Sequence, residues 1–538
     1  MDEKAGLLND KLFWISMLCS GLVLSFTLWF DFGPDQALYA YIAWVWKDYH
    51  LLPYIGGYEA NFPGIMVLHR LVLEIFGHSV LGFRVFDFLV QLGGLVMIYH
   101  LAKKLFGMSV AGSLASLSYS VYYFGLNFDT GQRDCYSFLC LLAAAIITLS
   151  GKWGNWAPKI LVGLLIGFAF LIKPTFGLSW PFFGFWFLAE GFRKRPKLIW
   201  AELAAFSLAC FLPTLSIVSL YWRAGQLEQL YYSTIWYEFE IFAKISSASH
   251  LFSVIKPVFL SYTLLNMNPF VLAGAAFAVL TVVDQWRESK QKKLLVMLIF
   301  MLVICFASIF IQGKNNFYHR APFWGFAMIL GGAGWALIGS RIAGKGAGIW
   351  PRLCAWSLYL FLALLTVTSL DWRMLKFAGA YTYRGLNKSY NSDFHIWTLD
   401  DQRKAADYIK TLKKPGDQME YVGWHPFLPY LAETKVPSRF CCTYHLLLRH
   451  YDGRIRPMQQ QWMDEYVRDT ISARPRFFVI STHIPVGETM LLKDFSLKNH
   501  LKNDFPALQE YFEKNYRLIN TVGSLEIYEL NGSSGQNP

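Results

Sequence analysis

The sequence predicts a polytopic α-helical membrane protein with a C-terminal soluble α/β domain. Three observations predict it. Only 16% of the 538 residues are charged, against about 25% in soluble globular proteins. Apolar runs of about 18–25 residues recur between residues 12 and 370. Beyond Asp371 the composition turns soluble, and helix-type and strand-type patterns alternate.

The expected spans, about eleven, are 12–30, 82–101, 109–126, 134–150, 159–175, 177–192, 199–221, 257–282, 294–311, 321–339 and 353–370. No small-residue cleavage site follows the first run, so it reads as a retained span rather than a signal peptide. The run GIMVLHRLVLEIF (64–76) is short and carries His69, Arg70 and Glu74, so it reads as an interfacial helix. Short basic loops at 102–104, 192–197, 287–293 and 341–352 all fall on one side if the N-terminus is cytoplasmic. The loops at 31–64, 127–134, 312–320 and 222–256, the turn near 173–178, and everything after about 371 then lie outside. The loop 221–250 is rich in Tyr and Trp and reads as a helix lying at headgroup depth or as a flap over a lipid substrate.

The expected domains are a membrane domain, 1–370, which includes the first outer loop 31–81, and an extracytoplasmic domain, 371–538. In the second, TLDDQRKAADYIKTLKKPGD (398–417) opens with a capping-box pattern and reads as a helix. MEYVGW (419–424) and RFFVIST (476–482) read as strands and 457–473 as an amphipathic helix. RLINTVGSLEIYEL (517–530) reads as a hairpin turning at Gly523-Ser524, and the tail NGSSGQNP as disordered.

The net charge of +12 does not imply nucleic acid, because Lys and Arg sit in the inter-span loops and no basic stripe carries interleaved aromatics. The eight cysteines show no CxxC spacing, so neither a zinc site nor a disulfide framework is indicated.

Chemistry concentrates in the outer loops. In DFGPDQALYAY (31–41) Pro34 suits the first helical position and places Asp35 in the first turn, where peptide N–H groups stabilise a carboxylate. Asp35 either caps that helix or accepts a proton from a hydroxyl. Asp31, four residues earlier, is a second candidate for that role or, since it precedes the helix, marks the end of the first span. Arg133 and Asp134 begin the fourth span, as an edge ion pair with Asp129 or as phosphate and hydroxyl ligands. Lys173 ends an apolar run before Pro174 and either snorkels or meets a lipid phosphate. Lys314, Tyr318, His319 and Arg320 put cations on the outer side, against the positive-inside trend. With Arg133 and Lys173 they form a set able to neutralise a departing phosphate. In GYEANFPG (57–64), Tyr58, Glu59 and Asn61 either meet a sugar or acceptor or pack at the interface.

A first span ending in an acidic loop, then PDQALYA, then a loop closing on Pro63 before an interfacial helix, resembles the GT-C superfamily of membrane glycosyltransferases. The branch it looks like contains protein O-mannosyltransferases and lipid A aminoarabinose transferases. There PDE-x-x-YA opens the first large periplasmic loop, a second acidic residue precedes a later span, and a Lys-Pro follows the fifth. Asp35, Asp134 and Lys173-Pro174 match. The resemblance implies a GT-C fold and an inverting transfer of a sugar from a polyprenyl-phosphate donor to a lipid, glycan or protein acceptor on the outer face of a bacterial inner membrane. Asp35 and Asp134 are the expected catalytic residues. Arg133, Lys173, His319 and Arg320 are expected at the donor phosphate, and Tyr58, Glu59, Asn61 and Tyr318 at the sugar or acceptor. Gln36 stands where the branch has Glu, which removes a carboxylate pair for metal. No cofactor is expected, a divalent cation being left open, and the protein is expected as a monomer. Asn61-Phe62-Pro63 replaces Glu-Lys-Pro, so the loop lacks a lysine for donor phosphate, and aminoarabinose is in doubt as the sugar. Fewer spans than the branch's usual number also set the chain apart. Two other classes fit the same topology. A lipid-linked sugar flippase should show internal repeats, and none is seen. A non-enzymatic polysaccharide-docking protein would not need Asp35.

Overall fold

The computed structural model describes residues 7–532 apart from 127–128, 151–155, 195–196, 242–267, 285–290, 313–315, 345–347, 369–398, 424–425, 450–452 and 483–496. Lys314, Thr398, residues 287–290, the end of the 221–250 loop, the start of the 257–282 run and most of the final tail lie outside the described residues.

The longer helices are α1 (Lys11–Ser25), α2 (Pro34–Asp48), α3 (Gly64–Phe76), α4 (Val80–Phe106), α5 (Ser109–Gly125), α6 (Arg133–Leu149), α7 (Trp156–Ile172), α8 (Ser179–Lys194), α9 (Ile199–Arg223), α10 (Asn268–Asp284), α11 (Lys292–Gln312), α12 (Ala321–Ala343), α13 (Ile349–Thr368), α14 (Leu399–Leu412) and α15 (Pro457–Ala473). Among the described residues a helix lies in each expected run, the run 257–282 being described only from residue 268. Among the described residues six stretches are long and apolar enough to cross a membrane: Lys11–Trp29, Val80–Phe106, Ile199–Arg223, Lys292–Gln312, Tyr318–Ala343 and Ile349–Thr368. The chain is a multi-pass membrane protein.

Contacts divide the chain into two compact units. Unit 1 is Met1–Phe30, Arg84–Leu220 and Ser249–Leu375; unit 2 is Asp31–Phe83, Tyr221–Ala248 and Lys376–Pro538. The loop 31–81, which the sequence assigns to the membrane domain, thus packs with the C-terminal segment. The reason lies in the hydrogen bonds that its buried polar groups find. Val436 N–H donates to the Tyr41 hydroxyl (2.9 Å), Tyr58 N–H to the Arg439 carbonyl (2.6 Å), and His78 Nε2 meets the Tyr430 carbonyl (2.9 Å). Arg403 clasps Asp31 through Nε (3.1 Å) and a second guanidinium nitrogen. The 221–241 segment joins through the Tyr221 hydroxyl, which donates to the Pro53 carbonyl (2.7 Å), and the Tyr237 hydroxyl, which donates to the His445 carbonyl (3.0 Å).

Unit 1 is a helical bundle whose core is aliphatic and aromatic, with α12 buried for most of its length. Small residues let α10 and α12 approach closely, and a methyl on Gly334 would overlap the Gly274 carbonyl. In unit 2, β1 (Met419–Val422), β2 (Phe477–Ser481), β3 (Tyr516–Val522) and β4 (Leu525–Leu530) form one sheet in the order β1-β2-β4-β3. Its β1–β2 pair is parallel and the others are antiparallel. Every residue of β2 is buried, as both sheet faces are covered. Phe478 and Ile480 enter one core with Trp462 and Tyr466, while Phe477 and Val479 enter another with Ala405 and Ile409. The hairpin turns at Gly523, whose φ of +57° suits glycine. The expected strands and hairpin of this domain are all present.

Candidate active site

Unit 1 brings Asp134, Lys173 and His319 into direct contact. Asp134 falls in the first turn of α6, where the exposed N–H groups favour a carboxylate. Lys173 follows the last residue of α7. Pro174 lacks an N–H and disfavours helix in the residue before it, so Lys173 is extended at φ −148° and ψ 104°. His319 and Arg320 end the 3-10 turn Phe317–Arg320 that leads into α12. The Lys173 ammonium donates to Asp134 Oδ1. His319 Nδ1 lies 2.9 Å from Lys173 Nζ and 3.2 Å from Asp134 Oδ2. One ring nitrogen cannot both accept from the ammonium and donate to the carboxylate, so protonation at Nδ1 decides which contact is a hydrogen bond. All three side chains are buried.

Arg133 precedes Asp134 and is within electrostatic reach of Lys173 and His319. Tyr122, on α5, feels both Arg320 and Asp134. The five side chains Arg133, Asp134, Lys173, His319 and Arg320 therefore form one buried neighbourhood rich in cationic side chains. Tyr318 is buried beside it, with its ring edge-on to His319 at 4.3 Å and its hydroxyl accepting from Asn316 (3.1 Å).

Unit 2 holds the other expected residues. Asp35 occupies the first turn of α2 behind Pro34, half-buried. Asp31 is sealed by Arg403, which gives it a structural partner. Glu59 Oε1 accepts from the Asn61 backbone N–H (3.2 Å) and side-chain amide. The Asn61 amide also reaches the Tyr39 hydroxyl (3.1 Å), and the Tyr54 hydroxyl donates to the Asn61 carbonyl (2.6 Å). Tyr54 has φ +67°, a strained conformation for a bulky residue. Its backbone is held by a bond to the Gly57 carbonyl (2.8 Å) and one from Arg439 (3.3 Å).

Glu59 Oε2 faces His445 Nε2 at 3.5 Å. Burial depresses the imidazole, but the carboxylate outweighs it and holds His445 above its usual range. Tyr58 is 1% exposed. Its ring packs between Tyr237, Phe440, His445 and Trp462 at 5.0–5.7 Å, within a hydrophobic core of the unit. Among the described residues no group of three or more His, Cys, Asp or Glu is arranged to hold a metal ion.

Sequence reasoning passed over Arg84 and Asp87 on α4 and His445 in unit 2. Two fully buried charges three residues apart inside an apolar helix were a readable signal. His445 carried none, since its partner Glu59 is distant in sequence.

Residues 61–217 match the family model described as dolichyl-phosphate-mannose-protein mannosyltransferase. No curated protein matches in sequence. The structure is similar to that of ArnT from Cupriavidus metallidurans bound to undecaprenyl phosphate, at 13% identity and a TM-score of 0.60, covering 98% of both chains. It is also similar to the archaeal oligosaccharyltransferase AglB from Archaeoglobus fulgidus, solved with an inhibitory peptide and a dolichol-phosphate. That match has 11% identity and a TM-score of 0.52, covering 98% of this chain and 74% of the other.

Proposed function

We propose, from a chain with the fold of the GT-C membrane glycosyltransferases, that this protein transfers a sugar from a polyprenyl-phosphate donor to a hydroxyl acceptor on the outer face of a bacterial inner membrane. One observation carries the reading: Arg133, Lys173, His319 and Arg320 are buried in one neighbourhood with Asp134. Clustered buried cationic side chains suit an anion, and a phosphate leaving group is one whose charge grows in the transition state. Two similar folds were solved with polyprenyl phosphates bound, ArnT with undecaprenyl phosphate and AglB with dolichol-phosphate, which supports the same lipid class here.

The reaction is a direct displacement. The acceptor oxygen forms a bond to the anomeric carbon as the carbon–oxygen bond to phosphate breaks, and its electron pair leaves with the polyprenyl phosphate. Configuration inverts. Asp35 takes the acceptor proton, an assignment that rests on its place in the first turn of α2. Arg133, Lys173 and Arg320 stabilise the phosphate, and Asp134 keeps Lys173 and His319 aligned rather than acting as a second base. Glu59 and Asn61 keep the role of sugar or acceptor contacts, Tyr318 that of a contact beside the phosphate.

The test is binding of undecaprenyl phosphate to the detergent-solubilised full chain. Arg320→Ala removes one charged hydrogen-bond donor, worth about 1.5–3 kcal/mol, so affinity should fall about 10- to 100-fold. Unchanged affinity in that variant, or no binding by the wild type, refutes the phosphate site.

A further inference from the structure

A second buried carboxylate in unit 1 lies outside the proposed chemistry. Asp87 is fully buried in α4. The Tyr123 hydroxyl lies 2.8 and 2.7 Å from its two oxygens, and the Tyr136 hydroxyl donates to Oδ1 at 3.0 Å. Gln91, one turn along α4, donates at 3.3 Å and in turn accepts from the Tyr119 hydroxyl at 2.9 Å. Arg84, one turn earlier and also fully buried, interacts with Asp87 electrostatically. Its guanidinium donates to the Phe30 carbonyl (3.2 Å), the Thr130 carbonyl (3.0 Å) and the Thr130 hydroxyl (2.9 Å). The Tyr123 hydroxyl accepts from the Gly131 N–H at 2.7 Å.

These bonds converge on one short stretch. Thr130 and Gly131 are gripped from α4 and α5, Gln132 is the N-cap of α6, and Arg133 and Asp134 follow at once. Tyr136 ties the first turn of α6 to the same carboxylate. A buried, hydrogen-bonded carboxylate is costly to assemble and tolerates little displacement of its donors. The turn before α6 is therefore fixed by two charged residues other than those assigned to the phosphate.

We propose that Arg84, Asp87 and Tyr123 are positioning residues, which set the direction of Arg133 and Asp134 by clamping the 130–131 turn. The inference rests on the phosphate reading above. It differs from a purely structural role in one respect: the effect of breaking the clamp must pass through Arg133 and Asp134.

The experiment is a double-mutant cycle on the full-length protein in detergent, with undecaprenyl phosphate as the probe. Tyr123→Phe removes one hydroxyl and keeps the ring, so it is the mild variant; Asp87→Asn is the stronger one. Tyr123→Phe should weaken binding about 5- to 20-fold. Added to Arg133→Ala it should weaken binding less than it does alone, because one of the two groups it positions is gone. Asp87→Glu should restore less than half of the loss caused by Asp87→Asn, since a longer side chain moves the clamp. Additive losses in the Tyr123/Arg133 cycle, or full affinity in Tyr123→Phe, overturn the positioning role while leaving the phosphate site standing. If the wild type binds no undecaprenyl phosphate, the phosphate reading falls first and this inference with it.

Discussion

Asp134 and Asp35 both sit in the first turn of a helix, one in each unit, and their surroundings differ. Asp134 is fully buried, accepts from an ammonium and lies beside an imidazole. Asp35 is half-buried behind a proline. Helix-start chemistry makes the same provision for both carboxylates, so it cannot separate their roles. The partners separate them. A carboxylate held by a lysine ammonium is the harder of the two to protonate. The first suits orientation of the lysine, and the second suits proton transfer.

The largest effect expected from this contrast is on turnover. Asp35→Asn should lower sugar transfer in isolated membranes by about 100- to 10,000-fold, the range for a general base, while leaving undecaprenyl phosphate binding intact. Asp134→Asn should do the reverse and act first on binding. Wild-type turnover in Asp35→Asn would erase the contrast. Next comes stability. Lys173→Ala leaves Asp134 buried without its cation, a change that costs about 3–5 kcal/mol when a buried pair is broken. Replacing both, as in Lys173→Met with Asp134→Leu, should recover most of it. Denaturation in micelles reads both variants, and equal stability of single and double variants would contradict the pairing.

A third carboxylate tests the limit in which no cation is present. Glu420 on β1 is fully buried, and its hydrogen bonds come from Tyr466 (2.8 Å), Thr470 (3.0 Å) and the Tyr421 N–H (3.1 Å). Burial raises it to about 7 from 4.5, against the opposing pull of those donors. Because the folded state holds the proton more tightly, the unfolded chain ionises first. Stability of unit 2 should therefore fall as pH rises from 4.5 towards 7, by about 3 kcal/mol at most, at 1.36 kcal/mol per pH unit. His445, held up by Glu59, adds a loss of the same sign as pH rises above 6.5. Glu420→Gln should flatten the lower part of the melting-temperature profile and leave the His445 part. A profile that rises with pH in the wild type would sink the assignment.

The sequence made some of this legible because the signals are local. Apolar runs mark the spans, Pro34 and Pro174 fix where α2 begins and where α7 ends, and period-two alternation with Gly523 marks the hairpin. Asp134, Lys173 and His319 could be named individually because each is a charged or titratable residue beside an apolar run. What was hidden is non-local. Nothing near Tyr58 says that Trp462 and His445 will enclose it, so an interfacial tyrosine and a core tyrosine look alike. The outer loop 31–81 reads as part of the membrane domain because it lies between spans, whereas its hydrogen-bond partners come from residues near 403, 430 and 439. Arg84 and Asp87 disappeared into the average hydropathy of α4.

That pairing has a consequence for biogenesis. The Tyr41–Val436 bond joins residues 395 positions apart, and the Asp31–Arg403 pair spans 372. At about 5–20 residues per second of synthesis, residue 41 waits roughly 20–80 s for its partner to leave the ribosome. During that interval the 31–83 segment carries Asp31 without Arg403 and an aromatic helix whose C-terminal partners are still to be made. The nascent chain thus passes through a vulnerable window, set by gene order rather than by stability, in which membrane chaperones and proteases compete for it.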